Sequence, residues 1–546
     1  MLQKNQTATI QITGLTSEGN GVGHLGEERF AVFVPNTAPG DVAEIKIVKV
    51  LKSYAFGRLE KLLTPSPDRI ESQCPISHLC GGCSLRHLSY EAECRIKNGW
   101  VQDCLSRLGD IHLPLEPFSP SPAQNRYRNK AQYPIGQDAD GNYHLGFYAN
   151  RSHRIIDAQD CLLQPEIFSQ IAACVREFLV QSKLPAYDET TKKGLVRHLY
   201  LRRGETTGEI LVCLVINGKQ LPHHQALVQR LTQAFPQIVG IVLNLNTKPG
   251  NTILGQKCVT LWGKDTIRDI LCGVEVELSP LSFYQVNHDS AENLYGIAAE
   301  FAALTGTETL LDLFCGAGTI GLSMAQRCKK LIGVEIVPQA VENAKKNAAR
   351  SGIANAEFFC ADAGEAASRL AEQGIRPDVV VLDPPRKGCD QQVIDAVVSM
   401  SPSRVVMVSC NPATMARDCK EFQRQGYFVQ RVKGVDMFPR TGHVETVVLL
   451  SKGEIDFKKV RVEFSLEDMD MSGFQKGATY DQIKSYVLEK HGLKVSSLYI
   501  SQVKQKYGII ERENYNKPKS ENLRQPKCPP EKEKAIREAL KHFQMI

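Results

Sequence analysis

A cysteine at the end of a strand offers the clearest nucleophile in this 546-residue chain. Val405-Val406-Met407-Val408-Ser409-Cys410-Asn411-Pro412 opens as an apolar run, the pattern of a buried strand. It stops at Asn-Pro, which forces a turn. Cys410 therefore falls at the C-terminal end of a strand, where open α/β sheets bind their ligands. A thiol ionises near a pH of about 8.5, so attack at neutral pH needs a lowered pKa or a partner. The competing reading is a small apolar filler in the core.

A second set of reactive residues is Cys74-Pro75-Ile76-Ser77-His78-Leu79-Cys80-Gly81-Gly82-Cys83. Three cysteines in a loop containing Gly and Pro signal a metal site, and Cys161 is the expected fourth ligand. Four thiolates suit either zinc or an iron–sulfur cluster, and the residues alone do not separate the two. Enzymes that make radicals from S-adenosylmethionine (SAM) use a tighter Cys-x3-Cys-x2-Cys spacing and leave one iron open. Here the first gap is longer and a fourth cysteine is at hand, so a closed, structural site is expected.

The third set is Asp312-Leu313-Phe314-Cys315-Gly316-Ala317-Gly318-Thr319, then Glu335 and Asp383, each acid closing an apolar run. A glycine-rich turn alone is weak evidence, since dinucleotide folds share it. This turn is short and has no Lys or third glycine for pyrophosphate. A carboxylate at Glu335 can accept both hydroxyls of a ribose. The combination points to a nucleoside without phosphate and to a Rossmann-like SAM-dependent methyltransferase rather than a dehydrogenase.

These residues need elements to hold them. From about Leu278 to Lys452, strands alternate with helices in the rhythm of a doubly wound parallel sheet, so the fold class is α/β. Residues 1–62 alternate short β-rich runs with turns at Gly19–Gly23 and Pro39-Gly40-Asp41, as an OB-like barrel would. This stretch resembles the TRAM domain, an RNA-binding barrel. Residues 63–277 read as a mixed α+β central domain, with an amphipathic helix over Tyr90–Leu108 using Ile96, Trp100 and Leu108. Asn125-Arg126-Tyr127-Arg128-Asn129-Lys130 suits phosphate contact plus base stacking, or else a solvated loop.

Residues 453–546 form a basic extension of unknown role. From Ser451 onward there are 19 basic against 14 acidic residues, most of the net charge of +6. Helix, turn, helix is expected there, capped by Thr479 and Ser496, followed by an extended polar connector over 516–530. A nucleic-acid contact and a small docking module are equally open. The start lacks an apolar signal core, and no run is long enough to span a bilayer, so a cytoplasmic protein is expected. Its 17 cysteines then read as thiols, ligands or nucleophiles.

Five motifs occur in one order: Ser282-Phe283-Tyr284-Gln285-Val286-Asn287, Asp312 to Thr319, Asp383-Pro384-Pro385-Arg386-Lys387-Gly388, Ser409-Cys410-Asn411-Pro412 and Gly442-His443-Val444-Glu445-Thr446. Together they resemble the RNA uracil-5-methyltransferases, close to the bacterial 23S ribosomal RNA branch. The resemblance covers residues 7–451, and the cysteine loop occurs in ribosomal members of that family. It implies SAM contacts from Gln285, Phe314, Thr319, Glu335 and Asp383. It implies Cys410 as nucleophile, Glu445 as base, and a [4Fe-4S] cluster on Cys74, Cys80, Cys83 and Cys161. RNA is the implied partner, 23S rRNA first and tRNA as the alternative, with no obligate protein partner.

The chemistry agrees with the residues. C5 of uracil is a poor nucleophile until a thiolate adds at C6 and makes an enolate. After methylation a base must take the C5 proton so that sulfur can leave. An adenine amino-methyltransferase would place an aromatic after Asp-Pro-Pro, where this chain has Arg386. A non-catalytic RNA-folding protein would not need both Cys410 and Glu445.

Overall fold

The computed structural model describes residues 2–26, 29–150, 152–453, 480–507, 528–543 and 545. The chain divides into two compact units, Met1–Asp456 and Phe457–Ile546.

The first unit begins with a closed barrel of five strands, Thr7–Leu15, Asn20–Leu25, Phe30–Pro35, Val42–Val50 and Tyr54–Thr64. Alternate residues Ile10, Ile12, Val32, Val34, Ile45 and Ile47 fill its interior. Closure leaves no unpaired edge. Asp41 braces it: its carboxylate accepts from the N–H groups of Ala38 (2.6 Å) and Ser66 (2.8 Å) and binds the Arg69 guanidinium in two places.

A helix, Tyr90–Cys104, follows the cysteine loop, capped by Ser89, whose Oγ accepts from the Ala92 N–H at 3.2 Å. Its last turn, Leu105–Gly109, widens into a π turn. The extra residue rotates the apolar face, so Leu105 is buried and Leu108, expected on that face, is exposed. Next comes a seven-stranded mixed sheet over Lys130–Gly263. One parallel pair, Ile210–Ile216 with Ile238–Leu245, sits among antiparallel neighbours. The segment 125–130 differs from its sequence reading. Tyr127 and Asn129 are buried and bonded within the protein, and Arg126 pairs with Asp160, so the tyrosine has no free face for a base.

The third sheet has seven strands in the order Ala356–Cys360, Lys330–Glu335, Thr309–Leu313, Val379–Leu382, Arg404–Ser409, Glu445–Lys452, Tyr427–Val435. The first five run parallel, and Glu445–Lys452 runs antiparallel to both of its neighbours. Helices cover both faces, and two apolar clusters form the layers of the core.

The second unit contains helices Tyr480–His491, Ser497–Lys506 and Pro530–His542 around Ile483, Val487, Ile500, Val503, Ile536 and Leu540. Ser496 caps the middle helix through the Tyr499 N–H at 3.3 Å. Thr479 and most of the expected connector lie outside the described residues. The third helix was not expected from the sequence. Among the described residues no helix is long and apolar enough to cross a membrane.

Candidate active site

The strand Arg404–Ser409 is Val- and Met-rich and buried, as its apolar run requires. It ends where Asn411 caps the next helix, its Oδ1 accepting from the Ala413 N–H at 3.1 Å, with Pro412 at the first helical position. Cys410 thus sits at the junction of strand and helix, half-buried. Antiparallel pairing brings Val408 opposite Val447 and Ser409 opposite Thr446, and one step further sets Cys410 across from Glu445. Glu445 is the first residue of its strand and is buried.

The electrostatics bind these groups into one site. Burial, and then the neighbouring Asp383 carboxylate, push the Glu445 carboxyl up to about 8, while Arg386 pulls the other way. Burial raises the Cys410 thiol, Glu445 and Asp383 add to that, and the nearby Arg386 guanidinium opposes them. Burial alone raises Asp383 to about 7. Arg386 also lies near His443, whose imidazole is held below its ordinary value by burial and nearby cations. Arg386 is therefore the cation common to Cys410, Glu445 and His443. The sequence presents it inside Asp-Pro-Pro-Arg, yet nothing there says that it faces Cys410. Asn411 Nδ2 and Thr414 Oγ1 both donate to its carbonyl, at 3.2 and 3.3 Å, which ties its loop to the helix after Cys410.

At the ends of the neighbouring strands, Glu335 accepts from the N–H groups of Gly316 (3.0 Å) and Val337 (2.9 Å). Phe314 has a φ of 65°, in the left-handed region, and so do Gly316 and Gly318, which turn the chain sharply before the helix at Thr319. Thr319 Oγ1 lies 3.1 Å from the Tyr295 hydroxyl. Gln285 is fixed through its carbonyl, which accepts from Asn129 Nδ2 at 2.9 Å. Phe283, two residues earlier, is 76% exposed, an open aromatic face beside this segment. Asp312, to which the motifs assign no role, is buried beneath the turn. Burial raises it to about 8, and its Oδ2 accepts from the Gly321 N–H at 2.9 Å.

Cys74, Cys80, Cys83 and Cys161 are free, half-buried thiols. They are close enough to disturb one another. Burial first, and then Cys83 and Cys74, raise Cys80; burial first, and then Cys83 and Cys80, raise Cys161, to about 11. Around them stand groups that favour a thiolate: the Gly82 N–H donates to Cys80 Sγ at 3.4 Å, and Arg86 and Arg128 face Cys83. Among the described residues, no set of three or more His, Cys, Asp or Glu side chains is arranged to hold a metal ion. The four candidate donors are all sulfur, with the Gly82 N–H and two arginines beside them.

The model for tRNA (uracil-5-)-methyltransferases matches residues 113–453, and that for the TRAM domain matches residues 2–59. The chain belongs to the tRNA (uracil-5-)-methyltransferase family. It is a SAM-dependent RNA methyltransferase with an N-terminal TRAM barrel. An RNA methyltransferase of Halalkalibacterium halodurans is 44% identical over 450 residues, 82% of this chain and 98% of that protein. One of Clostridium tetani is 41% identical, over 82% of this chain and 97% of that one. Among solved structures, the Pyrococcus abyssi tRNA (uracil-54, C5)-methyltransferase in complex with S-adenosyl-L-homocysteine superposes with a TM-score of 0.66 at 27% identity, covering 81% of this chain and 99% of that one. The family membership implied by the five motifs is thereby shown.

Proposed function

We propose that the protein methylates C5 of a uridine in 23S ribosomal RNA, with Cys410 as nucleophile and Glu445 as base. The strongest support is the pairing register that sets Cys410 across from Glu445, with Arg386 near the sulfur. Cys410 sulfur, ionised beside Arg386, adds to C6, and the C5–C6 π electrons move into the enolate. Glu335, Asp383, Gln285, Phe314 and Thr319 would hold SAM, whose sulfonium methyl would pass to C5 as its S–CH3 bond breaks, leaving the neutral thioether S-adenosylhomocysteine. Glu445 then removes the C5 proton, the C5–C6 double bond re-forms, and the C6–sulfur bond breaks to restore the thiolate. The target base must leave its stack to reach Cys410, and the exposed Phe283 offers a face for it.

The assignment predicts that the two residues fail at different steps. Cys410→Ala binds SAM and RNA but forms neither adduct nor product. Glu445→Gln transfers labelled methyl and stalls as a covalent protein–RNA complex that survives denaturing electrophoresis. Methylation by Cys410→Ala, or free product from Glu445→Gln at the wild-type rate, overturns the respective role.

The domain reading is part of the proposal: 1–62 is an RNA-binding barrel, 63–277 a central domain that carries the cysteine loop, 278–452 the catalytic domain and 453–546 a basic extension. So is the metal reading, in which Cys74, Cys80, Cys83 and Cys161 hold a structural [4Fe-4S] cluster. Their shared neighbourhood and cationic surroundings support it. Protein purified without oxygen is expected to be brown and to contain iron and sulfide; stoichiometric zinc without iron refutes it. A tRNA target is the second reading, favoured by the substrate of the Pyrococcus abyssi relative. Mass spectrometry of nucleosides, mapped by position in rRNA and tRNA from a strain lacking the gene, separates the two.

A further inference from the structure

The link between the last two strands, Asp436 to Val444, delivers His443 and Glu445 to the site. It is a hairpin connection gripped from outside at every residue from Asp436 to Arg440. Lys97 Nζ, fully buried, donates to Asp436 Oδ1 at 2.8 Å, to the Phe438 carbonyl at 3.1 Å and to Glu93 Oε1 at 2.7 Å. The Tyr90 hydroxyl donates to Asp436 Oδ2 at 2.9 Å and accepts from the Ser121 N–H at 2.7 Å. Glu93 Oε1 accepts from the Arg440 N–H at 2.7 Å, and its Oε2 lies 3.6 Å from Arg440 Nη1. Asn287 Nδ2 donates to the Met437 carbonyl at 3.0 Å, and the Tyr127 hydroxyl to the Pro439 carbonyl, also at 3.0 Å.

The connection is also shaped to this grip. Arg440 has a φ of 70°, left-handed backbone that a non-glycine residue adopts only under strain, so its surroundings must hold it there. Its carbonyl accepts from the N–H groups of Ser84 (3.0 Å) and Leu85 (3.1 Å), the residues just after Cys83. A Cβ on Gly442 would lie 1.6 Å from the Ser17 carbonyl oxygen of the barrel, so only glycine lets the two backbones meet. Barrel, cysteine loop and helix Tyr90–Cys104 thus converge on one corner.

We propose that Lys97, Glu93 and Tyr90 are positioning residues for Glu445. Removing one charge of a buried set costs far more than removing the whole set, because the remaining charge loses its partner. One ammonium is set between two carboxylates and bonded to the backbone of the connection as well, so directional contacts hold the corner. The fixed corner holds the Glu445 carboxylate against C5 of the base for proton removal. This rests on Glu445 being the base.

The test uses the full chain. In Glu93→Gln/Lys97→Met/Asp436→Asn the buried charges vanish together, and Tyr90→Phe removes one hydroxyl. Both are expected to keep KM for RNA and SAM affinity within about twofold, while kcat falls about tenfold or more. Labelled methyl is expected to accumulate in a covalent protein–RNA complex, as in Glu445→Gln. Folded variants that turn over at the wild-type rate, or that lose SAM binding and methyl transfer together, overturn the proposal. If the triple variant does not fold, Tyr90→Phe decides alone. Should Glu445→Gln itself release product freely, the base assignment has failed; should it trap complex while the corner variants do not, only the positioning role has failed.

Discussion

Cys410 and Glu445 both rest in the state that burial favours, which is the protonated one. The reaction needs both as anions, so each must lose its proton before it acts. Glu445, raised to about 8, becomes a base only as pH climbs through that value. Turnover is therefore expected to rise between about pH 6 and pH 9, and the rate of breakdown of the methylated adduct to follow Glu445 ionisation. Arg386→Met removes the cation that opposes both shifts. At neutral pH, where each further pKa unit costs about tenfold in ionised fraction, kcat is expected to drop about tenfold or more, with the inflection moving to higher pH. A stability effect follows with a definite sign. A carboxyl raised in the fold contributes stability fully present below its unfolded value of 4.5 and lost as pH rises through about 8. Glu445→Gln is thus expected to melt higher than wild type at about pH 9 and no lower near about pH 5, by calorimetry at the two pH values.

Asp41 behaves in the opposite way in the barrel. Burial would raise its carboxyl, but Arg69 and the Ala38 and Ser66 N–H groups prevail and hold it below the ordinary value. Its contribution is present above the unfolded value of 3.8 and is lost as pH falls through the folded one. Asp41→Ala leaves Arg69 and two N–H groups without their acceptor and is expected to cost about 3–5 kcal/mol, seen as an early thermal transition of the barrel. The helix Tyr90–Cys104 shows how one local irregularity alters a whole face: the π turn at its end rotates the apolar stripe, and Leu105 takes the place expected for Leu108.

The three C-terminal helices have a core of their own, and the active-site residues all precede them. Truncation after Gly453 spares the last strand of the third sheet. It is expected to leave methyl transfer at saturating RNA unchanged and to weaken RNA binding. The salt dependence is expected to flatten by about 0.7–0.9 in the log–log slope for each phosphate that the extension would otherwise neutralise. Filter binding across a salt series measures it; an unchanged affinity and slope leaves docking as the role of the extension.

Composition and periodicity were enough for the α/β class, the barrel strands and the chemistry-bearing motifs, because these follow from local pattern. Apolar runs end at Cys410, Glu335 and Asp383, and a strand end is a local property. Local pattern alone did not give the partners of these residues; the family resemblance paired Cys410 with Glu445, and the sheet shows how they meet. Glu445 opens its strand and Cys410 closes its own, so they meet only because Glu445–Lys452 runs antiparallel within an otherwise parallel set. Strand direction depends on the whole layer, not on any window of sequence. The same holds for Tyr127, which reads as a free aromatic among cations but is buried against Pro439 of the corner. It holds for Lys97, an ordinary helix lysine in the sequence and a buried cation between Glu93 and Asp436 in the structure. Local pattern decides which residues end strands or line helix faces; which charges meet across hundreds of residues is decided only when the sheets, the barrel and the cysteine loop close on one another.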